Sequence, residues 1–236
     1  MRRKKAHRRV LNVYTRLSLS GISNERLSLL LHQRLSHRMS SRTKERILQA
    51  ALSLFNEKGM VHVRLQHIAD AAGISVGNLA YHYYGKEAIV FALIDELMKE
   101  QSVVLANYSA VPLFVHIDNI LEQNFSLQSR FEFFYLDTLE IYRMYKKVAR
   151  LSERHISNQL MQIEGMFNFN AARGAFIKNA DYASLARTFW MAGHLWRYQQ
   201  RLTGKTDFSL KEYKEQLWAV LLPFCTEMGI MEYRTI

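Results

Sequence analysis

The sequence predicts an all-α protein, and three observations lead to this fold class. The 236 residues include only two prolines and ten glycines, so few positions interrupt regular structure. Apolar residues rarely alternate with polar ones, which disfavours strands. They recur instead at intervals of three and four, as Ile47, Ala51, Leu54 and Phe55 do, and these residues fall on one face of a helix.

The first helix of the pattern is expected to begin at a cap formed by Ser40 or Ser41 and to end at Gly59, which favours a left-handed stop. A second, short helix is predicted over residues 65–71. The fourth and longest helix in this region is predicted to start at Lys86, after a break at Gly85.

Between the second and fourth helices lies a third, predicted over residues 76–82. A tight turn precedes it, in which Gly73 can take a positive φ and Ser75 can cap the helix that follows. Two short helices joined by a turn of about four residues with a central glycine form a helix-turn-helix.

The part of the chain that contains this motif resembles the DNA-binding domain of the TetR/AcrR family of transcriptional regulators. The resemblance covers residues 43–91, about a fifth of the chain. The matching residues are Thr43, Ile47, Leu48, Ala50, Ala51, Leu54, Phe55, Gly59, Ile68, Ala69, Ala72–Ser75, Gly77–Leu79, Tyr81–Tyr83, Lys86 and Glu87.

The resemblance implies an all-helical homodimer in which three N-terminal helices bind double-stranded DNA and a C-terminal bundle binds a small apolar effector. It also implies a near-palindromic operator and, most often, repression. The expected domains are a basic, flexible extension over residues 1–40, a helix-turn-helix domain over 41–90, and a regulatory and dimerisation domain over 91–236.

Ten residues are the expected DNA contacts. The second helix of the motif enters the major groove, where Gly77 lets the backbone approach and Asn78 can pair with an adenine edge. Leu79 and Tyr83 are expected to face inward as core. The predicted contact residues are Arg42, Lys44, Arg64, Ser75, Val76, Gly77, Asn78, Tyr81, His82 and Lys86, with His82 and Lys86 on phosphate.

The motif departs from the family pattern in two places. Ala80 stands where a phosphate-contacting tyrosine is usual, and Val63 and Arg64 replace a common threonine pair, so the threonine cap is absent. Residues 43–105 also carry six Lys or Arg against seven acids. The helix-turn-helix therefore offers few positive charges to a phosphate backbone.

The basic charge of the protein lies in its N-terminal arm. Residues 1–42 hold eleven Lys or Arg and one acid, whereas residues 43–236 are nearly neutral. The arm is expected to be a solvated tail that can add phosphate contacts. Two alternatives remain open: an organellar transit peptide, or a true translation start at Met39.

The C-terminal two-thirds predict helices without a motif that assigns individual residues. Helices are expected at about 113–125, 129–149, 150–168, 181–202 and 209–228, the last with a capping box of Ser209 and Glu212. Dense aromatic residues suit either a bundle core or an apolar cavity. Polar residues that could orient a ligand there are Asn124, Asp137, His155, Asn168, Asn170 and His194.

Two apolar stripes are candidates for the dimer interface, although each helix could instead bury its stripe within its own subunit. One stripe runs from Leu185 to Trp196 through Phe189 and Ala192. The other comprises Leu210, Tyr213, Leu217, Val220 and Leu221.

Other function classes find less support in the sequence. It lacks a His-Glu-x-x-His motif, a Gly-rich phosphate loop, a Ser-centred elbow and Cys/His metal spacing, so neither enzyme activity nor a cofactor or metal is expected. The Glu132, Asp137 and Glu140 group is interpreted as a solvated, salt-bridged face. A single cysteine fits a reducing compartment and predicts a cytoplasmic protein. The lack of a ~20-residue apolar run predicts that the chain does not span a membrane. The alternative function is non-specific nucleic-acid binding through the basic arm.

Overall fold

The computed structural model describes residues 24–108, 111 and 113–236, and it confirms the all-α fold class. Within these residues the only β pairing is a single bridge between Phe176 and Cys225. The helices are α1 Asn24–Lys58, α2 Leu65–Ala71, α3 Val76–His82, α4 Lys86–Tyr108, α5 Phe114–Arg130, α6 Glu132–Leu136, α7 Thr138–Met144, α8 Lys146–Ala172, α9 Tyr182–Leu202, α10 Leu210–Leu221 and α11 Glu227–Tyr233, with a 3-10 turn at Leu222–Phe224.

The helix-turn-helix follows the sequence expectation closely. α2 and α3 have the predicted bounds, and α4 starts at Lys86. Gly59 and Gly73 both have a positive φ, at 76° and 63°, as expected. The hydroxyl of Ser75 accepts a hydrogen bond from the Asn78 amide at 3.2 Å, so the predicted cap on α3 is confirmed.

The predicted start of the first helix at Ser40 or Ser41 is wrong, because α1 begins at Asn24 and runs through both serines. No proline or glycine stands between residues 24 and 58, so nothing in the chain stops the helix there. Ser41 uses its hydroxyl within the helix, where it donates to Glu45 at 3.1 Å. The predicted extension before residue 24 lies outside the described residues.

The body, α4 to α11, also corrects the sequence expectation in the region of residues 129–168. The prediction of one continuous helix over 129–149 is wrong. The chain bends at Phe131, Asp137 and Tyr145, and α8 already begins at Lys146. Phe133, Phe134 and Tyr135 are all buried. Three consecutive residues point to more than half of a helix circumference, so α6 is enclosed on more than one side, against Phe55 of α1 and His194 of α9.

The predicted last helix over 209–228 is likewise divided. α10 ends at Leu221, Pro223 lies in the 3-10 turn, and α11 forms a separate helix capped by Thr226. Only half of the predicted capping box is present. The Ser209 hydroxyl accepts from the Glu212 amide at 3.3 Å, but the Glu212 carboxylate pairs with Lys205 at 2.8 Å.

α4 crosses the predicted boundary between residues 90 and 91. Ile89 and Val90 before it, and Leu93 and Ile94 after it, are all buried. The domain division therefore stays a prediction.

Candidate nucleic-acid interface and candidate ligand cavity

The third helix, α3, lies on the surface and is held from beneath. Leu79 is fully buried, and half-buried Tyr83, which caps the helix at its end, packs against the same core. Both residues face inward as the sequence predicts. Ile68 and Ala69 on α2 and Ala72 in the turn complete the support. The helix has only seven residues, so this packing fixes its position.

The outer face of α3 is open. Gly77, Asn78 and Ala80 are exposed, and Tyr81 has 83% of its surface exposed. A Cβ added at Gly77 would meet only the Ser75 hydroxyl, at 4.0 Å. The start of the helix can therefore approach another molecule closely, while Asn78 and Tyr81 offer hydrogen-bonding groups at its edge.

Tyr84 belongs to the same surface, and the sequence reasoning missed it. This tyrosine follows the end of α3 and is 98% exposed, which makes it more exposed than Tyr81. The signal was present in the cluster of three tyrosines at 81, 83 and 84. The sequence pattern does not separate exposed Tyr84 from half-buried Tyr83, because both follow the end of α3.

Four of the ten predicted contacts lie on elements next to α3 and its cap, and three of them, Arg42, Lys44 and Arg64, are exposed cations. Arg42 and Lys44 are exposed on α1, and exposed Arg64 precedes α2. The Arg64 backbone amide donates to His67 Nδ1 at 3.2 Å. A guanidinium has no acceptor, so it cannot replace the threonine cap, and its charge stays at the surface.

Lys86 adopts a different arrangement from the one expected for a phosphate contact. Its ammonium donates to the Met60 carbonyl at 2.5 Å and stands 5.8 Å from the centre of the Phe55 ring. Burial lowers the pKa of this lysine. In this arrangement Lys86 ties the start of α4 to the loop after α1, so its phosphate contact stays a prediction.

His82 has only one ring nitrogen available for a phosphate. Its Nδ1 is buried without a hydrogen-bond partner among the described residues, and the ring stands edge-on to Tyr81 with 5.2 Å between centroids. A contact to DNA would therefore use Nε2.

A cavity of about 60 Å³ lies inside the body between α4, α5, α6, α8, α9 and α10. Apolar side chains form most of its wall. The polar side-chain groups on the wall are amides, hydroxyls, one imidazole and one indole. The amides are Gln101, Asn124, Gln128 and Gln159; Tyr135, Tyr213, His194 and Trp190 supply the rest.

Only two of the six polar residues predicted to orient a ligand, Asn124 and His194, line this cavity. His155 lies behind the wall, where its Nε2 contacts Gln101 Oε1 at 2.8 Å. Asn168 is exposed, and Asn170 bonds to Met166 on its own helix. The sequence reasoning missed the buried glutamines, because a glutamine within a helix gives no pattern that separates cavity from solvent.

Burial keeps the ionisable groups of the cavity neutral. It lowers the pKa of His194 to about 4, with a smaller contribution from His155. Burial also raises the pKa of the Tyr135 and Tyr213 hydroxyls, whereas hydrogen bonds from Gln101 and Gln128 act in the opposite direction. At pH 7 all three groups are uncharged.

The end of α1 is joined to the body by hydrogen bonds from two residues. The side chain of Asn56 donates to the Arg130 carbonyl at 2.8 Å and accepts from the Phe133 amide at 3.0 Å. The Met60 amide donates to Asp137 Oδ2 at 3.0 Å. The sequence suggested that Asp137 either orients a ligand or belongs to a solvated face. Its hydrogen bond to the loop after α1 contradicts both roles.

Glu132 also departs from the expected solvated face. It contacts the guanidinium of buried Arg197 at 3.9 Å and that of Arg201 at 2.8 Å, and its side chain is only 16% exposed. Glu140, in contrast, is half-exposed and lies 4.0 Å from Arg143. Of the predicted group, only Glu140 has the solvated character that was expected.

The two stripes proposed for dimerisation are largely buried within the subunit. Phe189 and Trp196 on α9 and Tyr213, Leu217 and Leu221 on α10 are 0–6% exposed. The alternative left open by the sequence is therefore confirmed for these residues. The exposed apolar surface of α9 is its opposite face, which carries Met191, Leu195, Tyr198 and Leu202, each 46–71% exposed.

No helix in the described part of the chain is long and apolar enough to cross a membrane.

Two family descriptions match the chain. "Bacterial regulatory proteins, tetR family" matches residues 47–93, which contain the helix-turn-helix. "Bacterial transcriptional repressor" matches residues 98–233, more than half of the chain.

The curated relatives are transcriptional regulators. RutR, an HTH-type transcriptional regulator of Escherichia coli (strain K12), is 39% identical over 61 residues, which are 26% of this chain and 29% of RutR. The chain thus spans less than a third of the length of RutR. IcaR of Staphylococcus aureus (strain Newman), a negative transcriptional regulator of the biofilm operon icaADBC, is 24% identical over 195 residues, covering 75% of this chain and 96% of IcaR.

Solved structures share the fold. A TetR-family transcriptional regulator from Marinobacter aquaeolei VT8 has a TM-score of 0.71 at 22% identity and covers 81% of this chain and 97% of its own. The ketosteroid transcriptional regulator KstR2 of Mycobacterium tuberculosis has a TM-score of 0.64 at 18% identity, covering 78% of this chain and 95% of its own.

Proposed function

The chain belongs to the TetR family of bacterial transcriptional regulators, and we propose that it is a homodimeric repressor that binds a specific operator and releases it when a small effector enters the body. Such a protein works on chromosomal DNA and therefore in the cytoplasm. The similarity to IcaR, a negative regulator, supports repression.

The outer face of α3 is the observation that carries this proposal. A short helix opens with Gly77 and Asn78 at the surface and continues with a largely exposed tyrosine. The first residues of a recognition helix meet base edges in the major groove, where an asparagine amide can pair with adenine. Arg42, Lys44 and Arg64, together with the Lys86 end of α4, suit the flanking phosphates.

The exposed face of α9 supports the dimer. Met191, Leu195, Tyr198 and Leu202 recur at intervals of three and four, so they form one stripe along the helix. A second copy of the chain can cover this stripe around a two-fold axis. A two-fold dimer presents its paired α3 helices to half-sites about 34–36 Å apart.

Leu195→Glu tests this interface. A carboxylate in the centre of the stripe should convert the dimer to a monomer in sedimentation experiments and abolish operator binding at the same protein concentration. Leu139→Glu is the control, because Leu139 is 70% exposed on a different helix, α7. A Leu195→Glu protein that stays dimeric contradicts the proposed interface.

Selection of bound sequences from random DNA tests the function as a whole. The full chain and a form that starts at Met39 should both select one near-palindromic sequence. Asn78→Ala should then weaken binding to that sequence by about 1–3 kcal/mol. Asn158→Ala, an exposed asparagine on α8, is the matched control and should bind like the parent.

Non-specific binding through the basic arm gives the opposite result. In that case the Met39 form loses affinity for all DNA, no sequence is enriched, and Asn78→Ala has no effect. This result would overturn the proposed function.

A further inference from the structure

We propose that the cavity of the body takes an uncharged, compact molecule that carries an O–H or N–H donor beside a flat apolar part. Carboxylates, ammonium compounds and phosphorylated molecules are excluded as ligands. The inference deepens the proposed function, because it names the chemical class of the effector.

The absence of charge on the wall is the first argument. Among the described residues that line the cavity there is no Asp, Glu, Lys or Arg, and the lining imidazole and phenols are neutral at pH 7. The buried cation Arg197 does not line the cavity: its guanidinium lies over the Phe208 ring and 3.9 Å from the Glu132 carboxylate, which it shares with Arg201. A charged ligand would lose its hydration and find no counter-charge.

The side chain of Gln128 supplies the second argument. This residue is 3% exposed, and its amide nitrogen donates to the Gly193 carbonyl at 3.0 Å and lies 3.4 Å from the Tyr213 hydroxyl. Because a carbonyl can only accept, the nitrogen must face Gly193. Gln128 Oε1 is then left buried on the cavity wall without a partner among the described residues. A ligand donor satisfies this oxygen.

The aromatic part of the wall indicates a flat ligand. The Trp190 and His194 rings are stacked, with 4.5 Å between centroids and 14° between planes, and Tyr135 stands 5.1 Å from His194. Trp190 is held in place by its hydrogen bond to Gln159 at 2.9 Å. A planar apolar group can stack against these faces.

The size of the cavity connects binding to regulation. Its volume of about 60 Å³ is smaller than the ~150 Å³ cavity that accommodates benzene in another protein. Binding therefore requires displacement of a lining side chain. A ligand that fits only the enlarged cavity binds the two conformations with different affinity, and this difference is what shifts their populations.

Tyr135 provides a route from the cavity to the DNA-binding end. It lines the cavity from α6, a helix of five residues, and the Phe133 amide of the same helix is bonded to Asn56 at the end of α1. Displacement of α6 by a ligand therefore pulls on the hydrogen bonds that join α1 to the body.

Four one-ring compounds test the ligand class by calorimetric titration of the full chain without DNA. Phenol combines a flat ring with a donor, toluene lacks the donor, benzoate is an anion and benzylamine is a cation at pH 7. We expect phenol to bind at millimolar concentration, and benzoate and benzylamine to bind at least about tenfold more weakly.

Gln128→Leu separates the donor contact from the shape of the cavity. The variant should bind phenol at least about tenfold more weakly than the parent, because the unpaired oxygen is gone. Its affinity for toluene should be equal to that of the parent or higher. Gln49→Leu makes the same substitution at an exposed position on α1 and should bind all four compounds like the parent.

Three outcomes overturn the inference: benzoate or benzylamine binds as tightly as phenol, Gln128→Leu leaves phenol unaffected, or phenol does not bind at millimolar concentration. The operator selection is independent of this result. If the chain selects an operator but does not bind phenol, only the ligand class is refuted. If it binds phenol but selects no operator, only the proposed function is refuted.

Discussion

The helix-turn-helix and the body use tyrosines in opposite ways. Tyr81 and Tyr84 are 83% and 98% exposed, whereas Tyr135 and Tyr213 are 3% and 2% exposed. The first pair presents hydroxyls at the surface, where an outside partner can meet them. The second pair receives hydrogen bonds from Gln101 and from the Gln128 amide inside the fold. One region is therefore built to meet a macromolecule, and the other to enclose a small one.

Within the body, a buried charge and an exposed charge differ in the same way, and the buried one gives the largest expected effect. Glu132→Ala should lower the free energy of unfolding by about 3–5 kcal/mol, since it leaves the guanidinium of Arg197 buried without its counter-charge. Urea denaturation of the parent and variant measures this difference.

Glu140→Ala is the matched control for Glu132. Its carboxylate is half-exposed and lies 4.0 Å from exposed Arg143, so the substitution should cost less than about 1 kcal/mol. Equal losses in the two variants would mean that the body does not treat its buried charge differently from its surface charge.

The neutral His194 gives the next largest effect. Its pKa of about 4 in the folded chain lies below the usual value of 6.5, so between these values the unfolded chain binds a proton that the folded chain does not. The free energy of unfolding should therefore fall as the pH falls from 6.5 to 4, by about 3 kcal/mol from this residue.

His194→Phe should remove that part of the pH dependence. The variant keeps a ring between Trp190 and Tyr135 but has no proton to bind, so its stability should change less over the same pH range than that of the parent. Denaturation of both proteins at several pH values gives the difference, and exposed His62→Phe is the control. Identical slopes for parent and His194→Phe contradict a neutral, buried imidazole.

A substitution at the junction between the two regions should lower the free energy of unfolding by less. Asn56→Ala removes the hydrogen bonds to the Arg130 carbonyl and the Phe133 amide, which should cost about 1–3 kcal/mol in denaturation experiments. It should also reduce the amount by which phenol weakens operator binding, because α6 loses its hydrogen bond to α1 and keeps the packing of Phe133 against Phe55.

Ser53→Ala, on an exposed position of α1, is the control for Asn56 and should behave like the parent. If Asn56→Ala releases the operator in response to phenol as readily as the parent does, the link between α6 and α1 carries no signal.

The two regions also differ in how far the sequence predicts them. The helix-turn-helix depends on local rules: a glycine with positive φ at 73, a serine cap at 75 and helices of about two turns. Residues adjacent in sequence settle each of these. The start of α1 was mispredicted because a cap-forming serine also fits the interior of a long helix.

The cavity depends on packing between distant residues. The side-chain amide of Gln128 is held by the Gly193 carbonyl, 65 positions away, and lies 3.4 Å from the Tyr213 hydroxyl, 85 positions away. The consecutive rings of Phe133, Phe134 and Tyr135 likewise pack against distant residues, Phe55 on α1 and His194 on α9. No window of sequence contains both partners of such contacts, so the aromatic residues predicted a bundle without predicting its cavity.

Tyr84 offers the smallest and most local test. Tyr84→Ala should leave the free energy of unfolding within about 0.5 kcal/mol of the parent, because the side chain is 98% exposed. It should weaken operator binding by about 1 kcal/mol if the hydroxyl meets a phosphate. Gel-shift titrations at several salt concentrations measure both the affinity and its salt dependence.

The salt dependence separates Tyr84 from the cations around it. A tyrosine displaces no counterion, so Tyr84→Ala should lower the affinity without changing the salt slope, whereas Arg64→Gln should reduce that slope by about 1. Tyr84→Phe divides the effect further, since it keeps the ring and removes only the hydroxyl. If Tyr84→Ala binds the operator like the parent, the DNA-reading surface ends at His82 and the exposure of Tyr84 has another cause.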